Sequence, residues 1–228
     1  MLRVVIPTRD SARWIGLLLE AYRERGIEPL YILDTRSADA TRDILTVMKA
    51  DVISFTPAAD YVEAGMIEFG SRAAQAEWVL RLDDDEFPSD ALLDWVAGAT
   101  TRSVRDGFYV SRRDLFRRDG RIVYNRRRSS FTSAARPRFL NPHARLYRPS
   151  RLGFHQALHA SGIVDETLFG FAPAAAFFVH VSALVTSPAE RLEKVRRYEA
   201  IATGSTWRLA DEYLPELFGT DHLSPAGD

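Results

Sequence analysis

Apolar residues in the first hundred positions follow two alternating rhythms, short continuous runs and segments spaced for one face of a helix. Residues 2–6, 29–33, 52–55 and 78–82 are continuous apolar runs of strand length. Between the first two, Trp14, Leu17, Leu18, Ala21 and Tyr22 share a helical face that Ser11 is placed to cap. Ile44, Leu45 and Met48 mark a helix over 38–49, and residues 61–76 are spaced for a third. Ser89 or Asp90 caps a fourth, through Leu92, Leu93 and Val96. Four successive strand-helix units predict an α/β fold, a Rossmann-type and mainly parallel sheet flanked by helices.

The rhythm changes after Gly98. Runs at 108–111, 122–124, 145–147 and 174–182 read as strands separated by loops rich in Arg, Ser and Pro, which predicts a mixed or antiparallel C-terminal half. Ser187, Pro188 and Glu190 form a capping box with Pro at the first helical position, ahead of Leu192, Val195, Tyr198 and Ile201. A helix follows from that, and residues 224–228 read as a frayed end. The pattern suggests one domain in two halves, residues 1–98 and 99–228.

Composition narrows the classes. With 228 residues and 46% hydrophobic content the chain buries a substantial core, and with no cysteine it has neither disulfides nor thiolate metal sites. The start, Met1 to Pro7, reads as a first strand rather than a signal peptide. Residues 167–189 carry no formal charge, but Gly170, Pro173, His180 and Pro188 interrupt them, so a buried strand fits better than a membrane span. Net charge is −1, yet residues 101–151 hold 15 Arg against Asp106, Asp114 and Asp119, leaving +12 there and −13 elsewhere. Such a segment suits an anionic neighbour: a phosphate, a nucleic acid, an anionic lipid surface or the acidic remainder of the protein.

The run Asp83-Asp84-Asp85-Glu86 stands directly after an apolar strand. Adjacent carboxylates repel and resist desolvation, so four at the end of a buried strand call for a cation, unless the run is simply a solvated turn. In an extended chain Asp83 and Asp85, two residues apart, face the same way and could share one hard divalent ion. Asp34 ends the second run, and in an open parallel sheet ligands bind beyond the carboxyl ends of the strands. Together the two acidic ends favour a nucleotide, with Asp34 accepting from base or ribose. Arg9, Arg72 and Arg81 lie near the same edge and could touch phosphate, although ordinary surface pairs would explain them too.

These residues resemble the nucleotide-sugar glycosyltransferases of the GT-A fold, family 2 in particular. Val4-Val5-Ile6-Pro7-Thr8-Arg9-Asp10 is similar to that family's opening strand and loop, and Ile32-Leu33-Asp34-Thr35-Arg36-Ser37 to its base-binding aspartate segment. Residues 72–87 look like its helix, strand and DXD signature. The resemblance implies transfer of a sugar from a nucleoside-diphosphate sugar to an unidentified acceptor, leaning towards inversion. It makes residues 1–98 the donor half and 99–228 the acceptor half. Pro7, Thr8, Arg9, Asp34, Arg72, Asp83 and Asp84 would bind the nucleotide. Asp83 and Asp85 would hold Mn2+ or Mg2+, with His180 completing the shell. Later segments, Ala144 to Arg148 and Gly153-Phe154-His155-Gln156, match a branch in which a His-Glu pair sits near the acceptor. Here Gln156 replaces the Glu, so Asp165 and Glu166, with His155, become the acid-base candidates.

The Arg-rich segment, including Arg112, Arg113, Arg117, Arg118 and Arg126, Arg127, Arg128, suits an anionic acceptor, or docking of a cytoplasmic protein on the inner membrane face or a partner. The short chain leaves room for an oligomer to complete the site. Two alternatives remain at this point. A sugar-nucleotide nucleotidyltransferase would normally open with a glycine-rich loop, which Pro7 to Ser11 lacks. A nucleic-acid-binding protein could use the Arg-rich segment with Phe116, Tyr124 and Phe131, but the acidic edge would repel a polyanion, so no nucleic-acid partner is expected.

Overall fold

Each of the four apolar runs forms a strand, and each hands the chain to a helix that returns it to the other end of the sheet. The computed structural model describes residues 1–125, 141–158, 160–201, 213–214 and 223–225. In chain order these hold β1 (Leu2–Thr8), α1 (Ile15–Arg23), β2 (Leu30–Asp34), α2 (Thr41–Val47), β3 (Asp51–Phe55), α3 (Met66–Ala73), β4 (Trp78–Arg81), β5 (Glu86–Pro88) and α4 (Asp90–Arg102). They continue with β6 (Gly107–Arg118), β7 (Arg121–Asn125), β8 (Pro142–Tyr147), β9 (Phe169–Phe171), β10 (Phe177–His180), α5 (Ser182–Val185), α6 (Pro188–Ile201) and β11 (Leu223–Pro225).

The chain forms two compact units, Met1–Val110 with His143–Phe177, and Ser111–Pro142 with Phe178–Asp228.

In the first unit the strand order is β3-β2-β1-β4-β8-β6. Strands β1 to β4 run parallel, β8 runs antiparallel to β4, and β9 pairs in parallel with the start of β6. This is the mixed, mostly parallel sheet of a GT-A-type α/β fold. Register sets Thr8 opposite Leu33 and Val5 opposite Arg81, so β2 ends beside the tip of β1, while β4 stops three residues lower and the acidic run that follows it reaches that tip.

Two helices depart from the expected pattern, for separate reasons. In α1 the buried residues are Ile15, Leu18, Leu19 and Tyr22, while Leu17 is 65% exposed. Ser11 does not cap this helix, because its hydroxyl bonds Asp84 and the Arg9 carbonyl, and the helix begins only after a turn. The third helix is shorter than residues 61–76. Gly65, at φ 101°, holds a left-handed conformation that suits glycine, and α3 starts after it. Residues 61–65 form a turn in which the Ala64 N–H donates to the Tyr61 carbonyl at 3.2 Å. Ser89 caps α4 as expected, accepting from the Leu92 N–H at 3.1 Å.

The second unit contains the far part of β6 paired antiparallel with β7, from Leu115 opposite Tyr124 to Arg118 opposite Arg121. β11 pairs with β7, so residues 223–225 form a strand rather than a frayed end. The Ser187 capping box is made in full: the Glu190 N–H donates to Ser187 Oγ at 3.2 Å and the Ser187 N–H to Glu190 Oε2 at 2.7 Å. The run expected as a strand over 174–182 is strand only over β10, since α5 begins at Ser182. Among the described residues no helix is long and apolar enough to cross a membrane. Arg126, Arg127, Arg128 and Phe131 lie outside the described residues.

α3 packs hard on the sheet at Gly70, where an added Cβ would meet Ile32 Cγ1 at 2.8 Å and Val5 Cγ1 at 2.9 Å. Both neighbours are buried strand residues that cannot retreat. Gly70→Ala is therefore expected to lower unfolding stability by about 1–3 kcal/mol in urea denaturation, despite its better helix propensity.

Candidate functional site

The carboxyl edge of β2, β1 and β4 gathers most of the acids singled out in the sequence, and each is held by a specific partner. Asp34, 2% exposed at the end of β2, is gripped by Arg36: Nε donates to Oδ1 at 3.0 Å, Nη2 to Oδ2 at 2.8 Å, and the Arg36 N–H to Oδ1 at 2.9 Å. Burial alone would raise its pKa, but these bonds and the charges of Arg36 and Arg9 hold it below the usual carboxylate value.

Arg9 joins the two acidic ends. Its guanidinium lies 3.8 Å from Asp34 and pairs with Asp60, while its backbone N–H donates to Asp84 Oδ2 at 3.1 Å. Asp84 also accepts from Thr8 Oγ1 at 2.7 Å and from Ser11. Burial, with the neighbouring charge of Asp85, pushes the Asp84 carboxyl up to about 7 against those three hydrogen bonds. Asp84 thus faces the tip of β1.

The acidic run is not extended. The Glu86 N–H donates to the Asp83 carbonyl at 3.0 Å and the Asp83 N–H to Glu86 Oε2 at 2.9 Å, closing residues 83–86 into a turn. Alternation between neighbouring residues therefore does not decide where Asp83 and Asp85 point, as an extended reading had it. Asp83 turns to two arginines. Arg145 Nη2 donates to its Oδ2 at 2.8 Å and Arg81 Nη1 to its Oδ1 at 3.2 Å, which holds its pKa down although burial opposes this. Arg145, 1% exposed, also bonds the fully buried Glu86 at 2.5 Å.

Sequence reasoning did not assign Glu86, Arg145 or Glu63 to the site. Arg145 sits in a run, Ala144 to Tyr147, whose every residue is buried, an unusual place for a charge that does no pairing. Glu63 was hidden by the helical spacing of its segment. It is half-buried in the 61–65 turn, and burial raises its carboxyl above the usual range against the charges of Arg81 and Arg145.

Pro7 is buried within β1, opposite Ile32. Arg72, on the last turn of α3, pairs with Glu68 at 2.9 Å and lies over the Phe154 ring, because a helix following a parallel strand ends near the opposite edge. His155 Nδ1 accepts from the Ala157 N–H at 3.2 Å, Asp165 is exposed and accepts from Thr167, and Glu166 accepts from the Tyr109 hydroxyl. None of the three bonds to the strand-end acids. His180 belongs to the second unit, where Nδ1 meets Asp114 at 2.8 Å. Arg112 and Asn141 hold the same carboxylate, keeping it far below its usual pKa although burial opposes this. Among the described residues no three His, Asp or Glu side chains form a group that could hold an ion.

The fold, with acids at the carboxyl tips of its second and fourth strands, is of the GT-A type. Solved structures similar to it include residues 1–349 of S. aureus TarS in complex with UDP-GlcNAc, at 16% identity, TM-score 0.54, 92% of this chain and 69% of that one. Another is glucosyl-3-phosphoglycerate synthase from Mycobacterium tuberculosis with Mn2+, UDP and glucosyl-3-phosphoglycerate, at 15% identity, TM-score 0.55, 86% of this chain and 76% of that one. No family model and no curated protein sequence matches the chain. At these identities the likeness shows the fold.

Arg145 compensates two acids at once, so Arg145→Met should take the guanidinium from both Asp83 and the buried Glu86 and lower stability by about 3–5 kcal/mol in urea denaturation. Asp34 predicts an acid limb. Its depressed pKa contributes stability above the unfolded value, ~3.9, and loses it as pH falls through the lower folded value. Stability measured from pH 6 to pH 2 should therefore fall less steeply in Asp34→Asn than in the wild type.

Proposed function

We propose that this protein is a metal-dependent glycosyltransferase of the family 2 kind, moving a sugar from a nucleoside-diphosphate sugar to an acceptor nucleophile. The observation that carries the reading is the convergence of Asp34 and the Asp83–Glu86 turn on either side of Arg9 at one sheet edge. That arrangement suits a nucleotide lying along the edge, its nucleoside at Asp34 and its diphosphate at the acidic turn. Similar structures bound to UDP or UDP-GlcNAc support the same reading.

In this reading Asp34 accepts hydrogen bonds from base or ribose once Arg36 releases part of its grip. Arg9, beside Asp34, offers positive charge next to the diphosphate path. Its backbone N–H and the hydroxyls of Thr8 and Ser11 keep Asp84 turned inward, which fixes the turn. Arg145 and Arg81 hold Asp83 in one orientation. Oxygen ligands suit Mn2+ or Mg2+, and Asp83 keeps 32% of its side chain exposed beside Asp85. Those two acids would hold the ion, which when bound offsets negative charge developing on the departing diphosphate. The family resemblance leans towards inversion, and the anionic acceptor suggested by the Arg-rich segment stays part of the proposal.

Thermal unfolding with UDP, GDP and dTDP and their sugars, with and without Mn2+, tests this. A ligand at a hundredfold its dissociation constant adds ~2.7 kcal/mol, a rise of roughly 5–10 °C for a chain this size. One nucleotide series should raise the midpoint, Asp34→Asn should abolish that rise, and the double variant Asp83→Asn, Asp85→Asn should remove its Mn2+-dependent part. A metal-dependent rise that survives the double variant would overturn the ion assignment.

A further inference from the structure

The hairpin of β6 and β7, in the second unit, ends in a basic tip that is short of counter-charge. Asp119 at φ 48° and Gly120 at φ 75° make its two-residue connection, a tight turn of the type I′ kind, which sets Arg118 directly opposite Arg121. Like charges in that position oppose strand pairing. Among the described residues the acid paired with either is Asp119, 4.0 Å from Arg118 and 95% exposed, an ion pair of little worth. Arg117, opposite Ile122, and Arg121 are exposed, and neither side chain bonds to another described residue. An added Cβ at Gly120 would meet no described atom within 4 Å, so the turn stands open. In sequence, residues 117–128 hold six Arg against Asp119 alone.

A rigid turn that holds arginines against their own repulsion is relieved when an anion arrives, and guanidinium groups suit phosphate oxygens in pairs. The surroundings of the tip distinguish one phosphate-bearing partner from another. A nucleic acid gains from aromatic rings on which bases stack, but Phe116 and Tyr124 are only 4% and 8% exposed, and Arg113 lies over the Tyr124 ring at 5.1 Å. Neither ring is offered to a base. Ile122 is 43% exposed instead, between Arg121 in the chain and Arg117 across the hairpin. An apolar side chain set among arginines gains little from a phosphate chain, whereas in a bilayer it enters the boundary between headgroups and acyl chains while the arginines hold the headgroups.

We propose that the β6–β7 hairpin docks the protein on an anionic lipid bilayer, with Arg117, Arg118 and Arg121 on headgroup phosphates and Ile122 in the boundary beneath them. This surface goes beyond the nucleotide reading and does not depend on it.

Co-sedimentation of the full chain with vesicles of phosphatidylcholine alone, or of phosphatidylcholine and phosphatidylglycerol in equal parts, measures the docking. The wild type should bind the mixed vesicles and not the neutral ones, and less as salt is added. A basic residue near such a surface is worth about fivefold in partitioning, so the triple variant Arg117→Ser, Arg118→Ser, Arg121→Ser should bind about a hundredfold less. Its thermal midpoint should be no lower than that of the wild type, because the opposed arginines are gone, which separates lost docking from lost folding. Ile122→Thr keeps the charge and the β-branched shape and should bind severalfold less. A wild type that ignores the mixed vesicles overturns the proposal, as does a triple variant that binds them as well as the wild type. A single-stranded oligonucleotide is the competing polyanion. If the triple variant loses oligonucleotide and vesicles alike while Ile122→Thr loses neither, the hairpin binds phosphate chains, not a bilayer, and the proposal is overturned.

Discussion

Desolvating carboxylates at the end of a buried sheet is the constraint around which the first unit is organised. Asp34, Asp83, Asp84 and Glu86 all sit where strands leave the core, and each would repel its neighbours and lose its hydration without a dedicated partner. Three chemistries supply those partners. Arginine forks hold Asp34, Asp83 and Glu86, whereas hydroxyls and a backbone N–H hold Asp84. The antiparallel strand β8 matters because it delivers Arg145 beside β4, where it joins Arg81 on Asp83 and also bonds Glu86.

The parallel half was legible because β1, β2 and β4 are largely buried and read as unbroken apolar runs, with helices between them. The acidic run was legible for the converse reason, since nothing in packing asks for four acids after such a strand. What surrounded them was harder to see. Arg145 was counted among 15 arginines of a basic segment, and only the buried residues on either side distinguish it from a surface charge. Glu63 disappeared into a helical spacing over 61–76 that Gly65 interrupts, and a glycine inside an apparent helix carried the signal. Ser11 has the composition of a helix cap but serves a carboxylate from a distant strand, a contact that local sequence does not encode. The orientation of Asp83 followed from a turn, not from strand alternation.

The second unit solves the same electrostatic problem with a different set. Asp114 receives His180, Arg112 and Asn141, a small network spread over β6, β10 and the residue before β8. A carboxylate on Nδ1 fixes a histidine's tautomer and ring orientation. His180 is thus a rigid element, unlike His155, whose ring bonds only within its own loop.

The grip of Arg36 on Asp34 has a consequence for how a nucleoside would be recognised. An acceptor already filled by an internal fork cannot simply capture an incoming base; it must exchange one set of bonds for another. Selectivity then depends on the difference between two occupants, and a base able to match only one of the three contacts is rejected by the resident guanidinium. Added electrolyte, by loosening the resident pair, would ease that exchange instead of opposing it.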